Sequence, residues 1–295
     1  MNNEEVRRHI QRLKELPALA PNLSRIIEAC EDPEIDFQHL AQVLQSSPTI
    51  TARLLGLANT AFFGQAGRVQ TLEHATAILG LPMVRNIATG LALAGPFQLK
   101  SCRRFELQRY WLTSILAASM GRELATGVDP QLQIPRDSVY LAGLLHNFGL
   151  LALVHLFPQE MEQALATYYK APEQRLASHL RRALAIDHYQ AGAWLGGKWH
   201  LPRELLLVME HHHDPQYRRE QWPLVLLTGF SSRWGDGVLN QLTAEGVTSG
   251  YDYDDPQVAL VFRLLEIDGE QARATQHRIL AQLPAYREMA AALSG

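Results

Sequence analysis

Three stretches of the chain carry side chains that could hold an ion or a ligand. They are Gly143-Leu144-Leu145-His146-Asn147-Phe148-Gly149, the pair Asp187-His188, and the run His211-His212-His213 ahead of Asp214-Pro215. Imidazole is their common element: a neutral ring nitrogen ligates transition metals, and the ring exchanges protons near neutral pH. The chain has 12 histidines, so surroundings decide which of them matter. His146 and Asn147 lie within an apolar run, where an unpaired buried polar group costs roughly 1–3 kcal/mol. Such a pair either pins neighbouring helices or lines a pocket. Consecutive helical residues point about 100° apart, so the histidine triplet cannot turn as a whole toward one ion. One or two of the three can enter a pocket, and the rest suit the end of a helix, where a cation is favoured. The candidate metal ligands are therefore His146, His188, His211, His212 and His213. One divalent transition ion, zinc, nickel or copper, is what such a set would take, and nothing in the pattern requires a cofactor.

The elements that must position these residues read as helices. Glu4–Leu16 is a short charged helix ended by Pro17. Asn22 is placed to cap a helix through Cys30, and Asp36 to cap one carrying Phe37, Leu40, Ala41 and Leu44. Ser47-Pro48 opens a helix whose buried stripe is Ile50, Leu54, Leu57 and Ala61. Thr71 caps a further helix that Gly80 stops, and Pro82 starts another to about Ala94. Gly95-Pro96 breaks the chain into two halves. Helices then follow at Phe105–Ala125, across Ser138–Phe157, and at Met161–Tyr169, Pro172–Ala185, Tyr189–Trp199 and Pro202–His211. Gly235–Pro256, with Asp252, Asp254 and Asp255, reads as an acidic loop before a final helical region. Period-2 alternation is not sustained, so the expected fold is all-α with little or no sheet.

Composition narrows the function classes. A net charge of −3 gives no field favouring nucleic acid or an anionic membrane. The pairs Arg103-Arg104 and Arg181-Arg182 read as solvated helix faces. Ser138–Phe157 is near the length of a membrane span, but His146 and Asn147 sit at its middle, and a buried core helix is expected. Cys30 and Cys102 suggest neither a disulfide nor a CxxC metal site, and the N-terminus lacks the layout of a signal peptide, so a reducing cytosol is the expected compartment. Gly192–Lys198 lacks the strand–loop–helix setting of a phosphate loop and reads as small residues permitting close packing. Trp111, Trp194 and Trp199 read as core.

Taken together and in order, these motifs resemble the HDOD family. Leu16-Pro17-Ala18-Leu19, Gln45-Ser46-Ser47-Pro48, Leu57–Gly64 and Ala77–Leu81 match its N-terminal part. Gly143–Gly149, Asp187-His188, Trp199-His200-Leu201-Pro202 and His211–Pro215 match the part related to HD phosphohydrolases. The likeness covers roughly residues 10–235. It implies an N-terminal helical half (1–96), an HD-like half (97–235), and a tail (236–295) holding the acidic loop and a helical region.

The HD superfamily holds one or two divalent metals with a histidine, a His-Asp pair, later histidines and a final aspartate. By that resemblance Thr113 stands where the first histidine is expected and Asn147 where the aspartate of the pair is. Thr228–Ser232, where the last aspartate should fall, has no carboxylate. Neutral side chains cannot offset the repulsion of two close dications, so the expectation is a pocket without hydrolysis, with Thr113, His146, Asn147, His188 and His212 as its candidate residues. The resemblance implies a bacterial signal-transduction module that takes a signalling protein partner or a small nucleotide-like ligand in a groove between its halves. The competing expectation is a metal-dependent phosphohydrolase with an altered histidine-rich site.

Overall fold

Local capping chemistry sets many of the helix starts in the computed structural model, which describes residues 18–64, 67–132, 134–170, 175–243, 246–247 and 255–295. The expected Glu4–Leu16 helix, and Asp252 and Asp254, lie outside them. Helix α1 (Pro21–Glu31) begins at its proline, so Asn22 falls inside it and not at its cap. Asp36 caps α2 (Phe37–Leu44) by accepting the His39 N–H at 2.9 Å. Ser47 occupies the cap position of α3 (Pro48–Ala58) without a side-chain bond, leaving the start to Pro48. Thr71 caps α4 (Leu72–Leu79), accepting from the His74 N–H at 3.2 Å. Gly80, at φ +79°, turns the chain into α5 (Leu81–Ala94). Ile50, Leu54 and Leu57 are buried as expected, whereas Ala61 falls past the end of α3 in an exposed 3-10 turn.

The second half is arranged around α6 (Leu107–Leu124), which is almost wholly buried. It packs against α7 (Arg136–Leu145), α13 (Trp222–Asn240), α15 (Gly269–Ala281) and α16 (Leu283–Ser294). The stretch read as one helix across Ser138–Phe157 is two. α7 ends at Leu145, His146 and Asn147 form a turn, and α8 runs Phe148–Leu156. The stretch is interior, with 83% of its most apolar window buried. Next come α9 (Pro158–Tyr168), α10 (Leu176–Leu184), α11 (His188–Lys198) and α12 (Arg203–His211). A two-stranded antiparallel hairpin, β1 (Leu242–Thr243) with β2 (Gly246–Val247), is the one sheet among the described residues. α14 (Pro256–Leu265) follows, capped by Asp255.

Helices α1–α5 form a first layer that meets the second through α5 against α7. One apolar cluster runs from Ile26 to Leu293 without a break at Gly95-Pro96. α16 folds back onto α3 as well as α6, joining the last described helix to the first layer. Two further expectations change. The segment Gly235–Asn240, read as loop, is the end of α13, because Trp234, Val238 and Leu239 continue its buried stripe. Trp194 is not core: it is 37% exposed, with the Lys198 ammonium 5.7 Å from its ring centroid.

Candidate functional site

A cavity of about 340 Å³ opens where α6, α11 and α13 converge. α6 presents Glu106, Arg109, Tyr110 and Thr113 along one face, and α13 presents Ser232, Arg233, Asp236, Gly237 and Asn240 along another. These spacings follow the helical period, so each set shares one side of its helix. Asn147, His188, Tyr189, His212 and His213 form the inner wall. Thr113, Asn147, His188 and His212, expected at a pocket, thus line one cavity. No residue of the first layer lines it, so the expected groove between the halves is a cavity within the second half, built from residues 105–240. The second half meets the first where α5 packs against α7, and α5 also packs on α1.

The histidines divide by placement. His146 is fully buried and stands behind the wall, its ring edge-on to His212 with centroids 5.1 Å apart. His146 Nδ1 donates to the Gly143 carbonyl at 2.6 Å, and His212 Nδ1 donates to the Val208 carbonyl at 2.8 Å. A carbonyl can only accept, so both rings carry the proton on Nδ1 and keep a lone pair on Nε2. Tyr189 gathers the others: its ring lies parallel to His213 at 4.1 Å, beside His188 at 4.0 Å, and edge-on to His212 at 5.0 Å. His211 turns away and stacks on Tyr217 at 4.6 Å. The triplet therefore sends two rings to the cavity and one elsewhere.

Burial keeps these rings neutral. It pushes His146 down to about 4, against its bond to Gly143. Burial also lowers His188, helped by the neighbouring His146 and His213, while the Asp187 carboxylate opposes. His212 is held well below the ordinary histidine value, first by burial and then by His146. Among the described residues, several polar atoms here have no partner: His146 Nε2, His188 Nδ1, His213 Nδ1 and Thr228 Oγ1.

His188 is held in place by Asp187, whose carboxylate caps α11 by accepting the Gln190 N–H at 3.0 Å. The same buried carboxylate takes a charge-assisted bond from Arg181 Nε at 2.6 Å. Arg181, read as a solvated residue, is therefore structural. Replacing Asp187 with alanine removes cap and ion pair together and is expected to cost about 2 kcal/mol, with Asp187→Asn, which keeps a cap acceptor, costing about half as much. Urea denaturation of the two variants reads this out, and a free energy equal to the parent's in both would refute it.

Two close backbone approaches fix the geometry further. At Gly149 a Cβ would overlap the His188 carbonyl oxygen, and at Gly229 one would overlap the His212 carbonyl oxygen. α8 and α13 thus each press a bare backbone against a pocket histidine.

The residue that sequence reading missed is Asp236. It keeps solvent access through the cavity, yet protein surrounds it, and that loss of water pushes its carboxyl up to about 6 against the pull of Arg109. It forms no hydrogen bond or ion pair among the described residues. The signal was present in the run Ser232-Arg233-Trp234-Gly235-Asp236, where the helical stripe continues through the glycines.

The sequence pattern of the HDOD domain matches residues 16–215. The chain belongs to the HDOD domain family. A Treponema pallidum (strain Nichols) protein is 25% identical over 224 residues, which is 75% of this chain and 42% of that protein; the HDOD chain thus spans less than half of that relative's length. A crystal structure of a proposed signal transduction protein from Marinobacter aquaeolei VT8 superposes with a TM-score of 0.80 at 24% identity, covering 100% of this chain and 67% of the other. An HDOD domain protein of unknown function from Geobacter sulfurreducens gives 0.73 at 20% identity, covering 98% and 97%. A proposed phosphohydrolase from Shewanella amazonensis SB2B gives 0.73 at 19%, covering 97% of each. At these identities the solved structures speak to the fold. The matched HDOD segment ends before α13, so the wall carrying Ser232, Arg233, Asp236 and Asn240 lies outside it.

The donor set does not fit the two-metal centre that the HD relationship would bring. Among the described residues, no three histidine, cysteine, aspartate or glutamate side chains come together in a group able to hold an ion. Asn147 is neutral, and Asp236 interacts with Arg109, Tyr168 and Tyr189, not with the imidazoles.

Proposed function

We propose that this HDOD chain is a signal-transduction module of the bacterial cytoplasm whose cavity binds a small nucleotide-like ligand without hydrolysing it. The observation that carries the reading is the neutral inner wall. Asn147 and the uncharged rings of His188 and His212 offer lone pairs and N–H groups but no negative charge to hold paired cations. Hydrogen-bonding side chains on an aromatic-lined cavity are the ordinary make-up of a binding pocket. Ligand occupancy would reach the rest of the molecule through α6, which lines the cavity on one face and packs on α16 with another.

The test is elemental analysis of tag-free protein together with a hydrolysis assay. Less than a tenth of an equivalent of zinc, nickel, copper, manganese or iron is expected, and no phosphate release from mononucleotides or cyclic dinucleotides in added manganese. A stoichiometric metal lost in His146→Ala and His188→Ala variants, with turnover, would replace the proposal by the phosphohydrolase reading.

A further inference from the structure

The cavity is not uniform in charge. Its inner wall is neutral, while the rest carries three arginines, Arg109, Arg175 and Arg233, with the two carboxylates Glu106 and Asp236. The arginines are only partly engaged. Arg109 donates to Asn240 Oδ1 at 2.8 Å, Arg175 to the His213 carbonyl at 3.3 Å, and Arg233 to Gln257 Oε1 at 2.7 Å, with Arg233 Nε buried and without a partner among the described residues. Asp236 has no donor at all among the described residues, although it faces a cavity lined by Tyr110, Tyr168, Tyr169 and Tyr189. A solvent-accessible carboxylate that meets no protein donor keeps both oxygens free to accept a ligand's N–H groups. Guanidinium groups with spare N–H bonds take phosphate, and tyrosine rings take a planar head.

We infer that the cavity selects a guanine mononucleotide, with Asp236 accepting the paired N–H groups of the base and Arg175 and Arg233 taking the phosphate. Guanine presents N1–H and the 2-amino group side by side, which match the two oxygens of one carboxylate. Adenine presents a ring acceptor at N1, which the carboxylate repels. Hypoxanthine keeps N1–H alone. The volume, about 340 Å³, lies near the small end of ligand pockets and suits one nucleotide, not two. The specificity residue sits on α13, outside the matched HDOD segment. The inference rests on the proposed reading of the cavity as a ligand pocket.

Calorimetric titration of the full chain with GMP, IMP and AMP tests it. GMP is expected to bind roughly tenfold or more tightly than AMP, with IMP between them, since a hydrogen bond to a charged group is worth about 1.5–3 kcal/mol. In Asp236→Asn the preference for GMP is expected to vanish or to turn toward AMP, because an amide can donate to adenine N1. Arg175→Ala is expected to weaken GMP tenfold and to leave guanosine unchanged. Equal binding of GMP and AMP to the parent chain, an undiminished preference in Asp236→Asn, or no binding of any of the three at millimolar concentration would overturn the inference. Binding of GMP followed by phosphate release would leave the base selectivity standing and overturn the non-hydrolytic reading instead.

Discussion

Alanine at Gly149 is expected to destabilise the fold by roughly 3 kcal/mol or more, and alanine at Gly229 by a similar amount. Both positions face backbone, not a side-chain tip that could swing aside. At Gly149 the obstacle is the His188 carbonyl oxygen together with the Gly192 nitrogen, 2.5 Å from the added carbon; at Gly229 it is the His212 carbonyl oxygen. Relief requires whole helices to part, α8 from α11 in one case and α13 from the end of α12 in the other. Gly197 supplies the control. It sits in α11, where an added Cβ would meet only Leu206 Cδ1 at 3.9 Å, so Gly197→Ala is expected to be neutral or to stabilise by up to about 1 kcal/mol through helix propensity. Urea midpoints of the three variants decide it: a Gly149→Ala protein as stable as Gly197→Ala would mean that α8 and α11 are not in the close contact described. Because His188 and His212 move with those carbonyls, ligand affinity is expected to fall further than stability accounts for.

How much of this was legible in the sequence depends on the range of the interaction involved. Asp36 and Thr71 were readable as caps because a cap bond spans three residues and needs no partner elsewhere. The break at His146-Asn147 was not, because the end of α7 and most of α8 are buried, and an apolar run with no polar stripe gives no period to interrupt. Asp236 was hidden by its neighbours Gly235 and Gly237, which read as a turn; only the apolar stripe of α13 holds that segment helical. Trp194 was assigned to the core by residue type, and its exposure reflects a place on the outer face of α11 beside Lys198. Thr113, Asn147, His188 and His212 were found because they were read as one pattern, whereas the arginines and Tyr189 belonged to no motif and needed the fold to bring them together.

Acid is expected to weaken the protein between about pH 6.5 and 4. His146 is lowered to about 4 from an ordinary value near 6.5, so between those two pH values the unfolded chain binds a proton that the folded chain refuses. Stability is therefore complete above pH ~6.5 and falls as the pH drops toward 4. For His146 alone the loss between pH 7.5 and pH 5 is about 2 kcal/mol. His188 and His212 are displaced in the same direction and add to it. Asp236 works the other way: its raised value makes the folded chain the better proton binder below about pH 6. Its solvent access makes that compensation the smaller effect. Urea denaturation at pH 7.5, 6.5, 5.5 and 5.0 is expected to show midpoints falling steadily. His146→Gln should flatten the trend, and Asp236→Asn should steepen it. Midpoints that do not change between pH 7.5 and 5.0 would mean that the imidazoles are hydrated or charged in the native state.

The return of α16 to α3 joins segments more than 200 residues apart, through Arg53 Nη2 to the Ser294 carbonyl and Glu288 to the Ala61 N–H. A ribosome makes the first layer long before it makes that helix. During synthesis the exposed flank of α3 has to wait, sticky and unfinished, for its distant cover. Chaperone dependence and slow final compaction should therefore concentrate at this seam, and a nascent chain stalled before residue 283 should be cut by protease within Pro48–Ala58 where the released chain resists.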